Sequence, residues 1–131
     1  MNFSKYIDIP HLYKGSDFSG ADCYGLIKLI IKEEKTITLP DFWYTEMWYK
    51  ENKNHIINNM SKVKIIKVSP PYQAFDGLLF YDQRRKLVNH IGLLIEENKF
   101  IHTYRKNSSK IDRLEGYWKS RLYQGVRYLY G

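Results

Sequence analysis

The sequence predicts an α+β domain, with an N-terminal helix packed on an antiparallel sheet. Three observations predict it. Apolar residues recur at spacings of three and four between positions 23 and 31. Short runs of branched and aromatic residues follow between 62 and 104. Helix-like and strand-like segments do not alternate. At 131 residues, 44% of them hydrophobic, the chain can bury one core, and the reading is one domain over residues 1–131. No repeat, low-complexity tract or flexible linker divides it.

The helix begins in "SGADCYGLIKLII", where Cys23, Leu26, Ile27, Ile30 and Ile31 share a face and Lys28, Lys32, Glu33 and Glu34 turn to water. Asp22 is the expected N-cap, which leaves Cys23 in the first turn. The stretch "ITLPDFWYTEMWYKENKNHIINNM" predicts a loop and then a second helix over 44–60. The period then changes to that of strands. "KVKIIKV", "GLLFYD", "HIGLLIE" and "KFIHTY" are divided by the turn signals "SPPY", "FDG" and "EEN", and they predict an antiparallel meander.

Composition narrows the function classes. One cysteine excludes an internal disulfide, so the fold is no stapled secreted scaffold and the thiol is free. The segment "MNFSKYIDIPHLYKG" lacks the apolar run of a signal peptide, and nothing reaches the roughly 18 apolar residues of a membrane span. The expectation is a protein made in a cytoplasm, with no membrane partner. Net charge is +7, of which residues 105–131 carry +5. A basic end suits a polyanion such as nucleic acid, an anionic wall polymer or an acidic protein, and a merely solvated surface explains it equally. Arg105, Lys106 and Lys110 belong to this basic end, beyond the candidate chemistry along the chain, and their expected part is binding.

That chemistry centres on Cys23. A thiol at a helix N-terminus meets unpaired N–H groups and the positive end of the helix dipole, which predicts a lowered pKa and a reactive thiolate near neutral pH. The bland alternative is a small buried hydrophobe. A nucleophile needs a base, and the chain has His11, His55, His90 and His102. In "HIGLLIEENKFIHT", His90 and His102 flank one hairpin, which could present a base together with its orienting group. Cys23 with the two His would also make a three-ligand zinc site, but no fourth ligand or CxxC pattern supports it. Side chains alternate along a strand, so a two-residue loop at Glu97 and Asn98 would set His102 opposite Leu93, on the wrong face. The chemistry therefore predicts a three-residue loop, Glu96 to Asn98, pairing Ile95 with Lys99 and Gly92 with His102. Asn98 would take the left-handed conformation.

"YKGSDFSGADCYGLIKLI", "FDGLLFYD", "HIGLLIEENKFIHT" and "YWKSRLYQGVRYLYG" resemble, in order and over nearly the whole chain, the NlpC/P60 cysteine peptidases. "DCYGLIKLIIKEEKTITLPDF" is similar in particular to the phage tail branch. The resemblance implies a papain-like fold and hydrolysis of peptidoglycan stem peptides, typically at the γ-D-glutamyl bond to a diamino acid, without metal or cofactor. It makes Cys23 the nucleophile, His90 the general base and His102 its orienter. Tyr13 becomes a holder of substrate or oxyanion, and Asp22 the acid that meets a substrate amino group. Tyr24 replaces the usual Ser after the Cys, and Asp76-Gly77 replaces the strand's Gly-Asp. The branch also implies a virion tail component in contact with other tail proteins. The competing reading is a non-enzymatic module: a structural tail-assembly protein on the same fold, or a basic nucleic-acid binder. For nucleic acid, charge is the only support.

Overall fold

The computed structural model describes residues 2–40, 65–82, 87–104 and 107–128; the helix expected over 44–60, with His55, lies outside them. A 3-10 turn at Ser4–Tyr6 leads to a small hairpin, β1 (Ser16–Asp17) and β2 (Gly20–Ala21), and then to α1 (Cys23–Lys35). The remaining elements are β3 (Ile65–Val68), β4 (Gly77–Tyr81), β5 (Val88–Glu96), β6 (Lys99–His102), β7 (Lys110–Arg113), α2 (Gly116–Ser120) and β8 (Leu122–Tyr128). One helix packed on an antiparallel sheet makes the domain α+β, as expected.

Asp22 starts α1 as its N-cap: the backbone is extended there, and Oδ1 accepts the Gly25 N–H at 2.8 Å. Thr36, in the left-handed conformation, ends the helix. Leu26, Ile27, Ile30 and Ile31 are fully buried, against Leu79, Ile91, Leu93, Ile101 and Val126 from one face of the sheet. Leu78, Phe80, Leu94 and Phe100 alternate with these and form a second cluster, packed with Tyr72, Leu114, Trp118 and Leu122.

The six-stranded sheet has the order β3-β8-β4-β5-β6-β7. From β4 to β7 it is the expected meander. β8 corrects the rest, because the C-terminal strand returns between β3 and β4 and pairs with both. A buried carboxylate locks it there: Asp76 Oδ1 and Oδ2 accept from Arg127 Nε at 2.8 Å and Nη2 at 2.9 Å, and Oδ2 also accepts the Gln73 N–H at 2.7 Å. Asp76, which precedes Gly77 at the start of β4, thus ties the strand to β8.

The β5–β6 hairpin differs from the expected loop and still satisfies its purpose. Glu96 pairs with Lys99, so the loop is the two-residue one, with Asn98 left-handed at φ 59°. Ile95 does not pair with Lys99. It is bulged out of the ladder, and beyond it Leu94 pairs with Phe100 and Leu93 with Ile101. One bulged residue restores the register that the loop length alone would have lost.

Candidate active site

Cys23 sits in the first turn of α1, 6% exposed, directly after the cap. Two contacts fix the start of this helix. Asp22 Oδ2 accepts the Lys14 N–H at 2.8 Å, and the Asp22 N–H donates to the Gly15 carbonyl at 3.2 Å. The segment carrying Tyr13, itself half-buried against the core, is thereby tied to the turn that carries Cys23. The Tyr24 hydroxyl donates to the Pro40 carbonyl at 2.7 Å, so this buried ring anchors the chain beyond α1.

The expected ionisation of Cys23 needs correction. Burial pushes the thiol above its ordinary value, and the neighbouring Asp22 carboxylate pushes in the same direction. Backbone N–H groups of Tyr24, Ile91 and Cys23 itself favour the thiolate, as the helix start leads one to expect, but they are outweighed. The resting group is a protonated thiol. The contribution of the Ile91 N–H also locates the sulfur against β5, one residue past His90.

His90 and His102 come together. His90 Nε2 and His102 Nδ1 are 2.7 Å apart, and the rings lie edge to face with centroids 4.9 Å apart. Both are buried, His90 at 7% and His102 at 0% exposure. Burial lowers both pKa values, that of His90 well below the usual imidazole range, with His102 and Arg121 adding to the effect. The contact is a direct hydrogen bond. A tetrahedral zinc holding both nitrogens at about 2.0–2.1 Å would keep them farther apart than this, so the zinc reading has no support in the geometry. Among the described residues no three His, Cys, Asp or Glu side chains gather to hold a metal.

Sequence reasoning missed three residues here. Asp112 Oδ2 lies 2.7 Å from His102 Nε2, and Trp118 packs edge-on against His102 at 4.7 Å and tilted against His90 at 5.4 Å. Tyr104 approaches both rings, at 5.9 and 5.5 Å. Asp112 comes from β7, a strand whose "KIDR" carries no clear apolar period, and Trp118 from a five-residue helix. The only available signal was the "YWKS" stretch.

The structure also moves Lys110. It pairs with His102 in the β6–β7 ladder, its Nζ is 3.7 Å from Asp112 Oδ2, and it lies over the Tyr104 ring at 5.2 Å. Its position along the chain misplaced it, because β7 folds back on the strand that carries His102. Arg105 and Lys106 lie outside the described residues. His11 is held by a bridge between its backbone and Ala21.

A cysteine at a helix start, against a strand whose histidine bonds a second buried histidine, is an arrangement suited to nucleophilic acyl transfer. Known proteins share its fold. The NlpC/p60 domain of peptidoglycan hydrolase SagA superposes with a TM-score of 0.61 at 21% identity, covering 93% of this chain and 89% of that one. An NlpC/P60 family protein from Bacillus cereus gives 0.65 at 22% identity, over 95% of this chain and 37% of that one. Tail tip assembly protein K of Escherichia phage N15 is 25% identical over 123 residues, which are 92% of this chain and 50% of the relative, so the chain spans half the length of that protein. The NlpC/P60 family model matches residues 8–127, and the chain belongs to the NlpC/P60 family.

Proposed function

We propose that the protein is a cysteine peptidase that hydrolyses peptidoglycan stem peptides, at the γ-D-glutamyl bond to the diamino acid, as part of a phage tail. The observation that carries the reading is the buried 2.7 Å bond between His90 Nε2 and His102 Nδ1, beside the strand that receives the Cys23 sulfur. With Nε2 engaged, Nδ1 is the nitrogen that serves as base. The wall substrate is supported by the family and by the likeness to a peptidoglycan hydrolase domain, and the tail setting by the N15 relative.

In this reading the resting pair is neutral, since the thiol is raised and the imidazole lowered. The proton therefore passes from Cys23 to His90 as the sulfur attacks the amide carbonyl. The developing oxyanion meets backbone N–H groups at the start of α1, with Tyr13 as a further donor. His90, now charged, protonates the leaving amine, and water hydrolyses the thioester with His90 again as base. His102 holds the ring of His90 in direction and tautomer. Asp22 places a negative charge beside the site for a substrate ammonium, although both of its oxygens already accept backbone N–H groups. Tyr24, whose hydroxyl donates to the Pro40 carbonyl, is the third residue assigned to substrate binding in this reading.

The test is mass spectrometry of muropeptides after digestion. The purified protein should release fragments cut at that bond, and Cys23→Ala should release none. His90→Ala should nearly abolish turnover, while His102→Gln, still able to hydrogen-bond the ring, should retain a measurable fraction. An active Cys23→Ala protein would overturn the catalytic reading, and a different cut would overturn the bond assignment.

A further inference from the structure

We propose that Asp112 is a positioning residue of this site, dictating the tautomers of His102 and, through it, of His90. The inference deepens the peptidase reading above and rests on it for its consequence, but not for its test.

The geometry is a chain of two hydrogen bonds ending in a carboxylate. Asp112 Oδ2 lies 2.7 Å from His102 Nε2, and His102 Nδ1 lies 2.7 Å from His90 Nε2. An ionised carboxylate can only accept, so His102 Nε2 must carry the proton it donates. Burial keeps His102 neutral, which leaves its Nδ1 with a lone pair and no hydrogen. That nitrogen can only accept, so His90 Nε2 must be the donor. Neutral His90 then has its lone pair on Nδ1, the form a base needs to take the thiol proton. Reversed, the chain would place a hydrogen on His90 Nδ1 and remove the base.

The surroundings leave Asp112 as the acceptor that sets the direction. Among the described residues, the groups that face the two rings are Lys110 and Asp112 on β7, Tyr104 beyond the end of β6, Arg121 at the end of α2, and the Phe80, Phe100 and Trp118 rings. Lys110, 3.7 Å from the same carboxylate oxygen, puts its cation on the solvent side of Asp112. Strand register provides the placement. Asp112 pairs with Phe100 and Lys110 with His102, so Asp112 reaches His102 along the diagonal of one sheet face.

The test is nitrogen-15 NMR of protein labelled at the histidine ring nitrogens, recorded without substrate above the pH at which the rings titrate. In the unaltered protein both His90 and His102 should show the hydrogen on Nε2. Asp112→Ala should shift His102 toward a mixture of tautomers and carry His90 with it; Asp112→Leu, suited to a strand, serves if the alanine protein does not fold. Asp112→Glu should restore the original tautomers in part. Against wall peptide, the alanine variant should lose about 10²-fold in kcat with KM little changed. A hydrogen on Nδ1 of either ring in the unaltered protein would overturn the inference, as would tautomers unmoved in the variant. Expected spectra from a protein that cuts no wall peptide would instead remove the peptidase reading alone.

Discussion

Two influences of opposite sign meet on the sulfur of Cys23. The helix start supplies N–H groups that stabilise a thiolate, while burial and the Asp22 carboxylate favour the thiol and prevail. The residue that caps the helix thus also restrains ionisation of the thiol. Asparagine at position 22 would keep an oxygen for the Gly25 N–H and remove the charge. Asp22→Asn should therefore react with iodoacetamide severalfold faster than the unaltered protein at the same neutral pH, and the unaltered protein more slowly than an exposed cysteine in a peptide. Stopped-time alkylation followed by intact-mass measurement reads both rates. Equal rates for the two proteins would show that the Asp22 charge does not bear on the thiol.

At the scale of elements, α1 is held to the hairpin before it by a contact that only glycine permits. A Cβ on Gly25 would stand 1.7 Å from the Gly15 carbonyl oxygen, and that oxygen already accepts the Asp22 N–H. Alanine improves intrinsic helix propensity by about 1 kcal/mol over glycine. The clash is with backbone, which cannot swing aside, and overpacking of this kind costs about 1–3 kcal/mol or more. The second effect wins. Gly25→Ala should lower stability by about 2 kcal/mol in urea unfolding, and it should reduce activity because Cys23 rides on the displaced turn. A stabilised variant would mean that the hairpin does not pack on α1 as described. The β5–β6 hairpin makes a related point about elements: loop length alone would have set His102 on the wrong face, and the Ile95 bulge corrects it.

For the whole molecule, the buried histidine pair links the site to global stability. Burial lowers the pKa of both His90 and His102 below the ordinary 6.5. The unfolded chain takes up their protons near that value, the folded chain only at lower pH, so in between protons favour unfolding. Stability from this source is present in full above about pH 6.5 and is lost as pH falls through the folded pKa values. Asp112, which pulls His102 the other way, moderates the loss. Urea midpoints measured from pH 7.5 downward (on the order of one unit below each ring's ordinary value suffices) should decline for the unaltered protein and flatten for His90→Gln. An unchanged slope in that variant would mean that His90 titrates normally in the folded state.

Much was legible in the sequence because it is local. The start of α1 depends on Asp22 and the spacing of four or five apolar residues, all within one short stretch. The left-handed Asn98 is a property of a turn. The change from helical to strand period is equally local, and with it comes the α+β class. The pairing of the two histidines required only alternation along two adjoining strands, and even there the right face was reached by a bulge that no residue pattern announced. What tertiary structure alone decided involves partners distant in the chain. The insertion of β8 between β3 and β4 is locked by Asp76 and Arg127, 51 positions apart. Lys110 and Asp112 reach His102 only because β7 pairs with β6. The ionisation of Cys23 follows the same rule: its place at a helix start is written in its neighbours, whereas the burial that reverses its pKa is the work of a sheet folded much later in the chain.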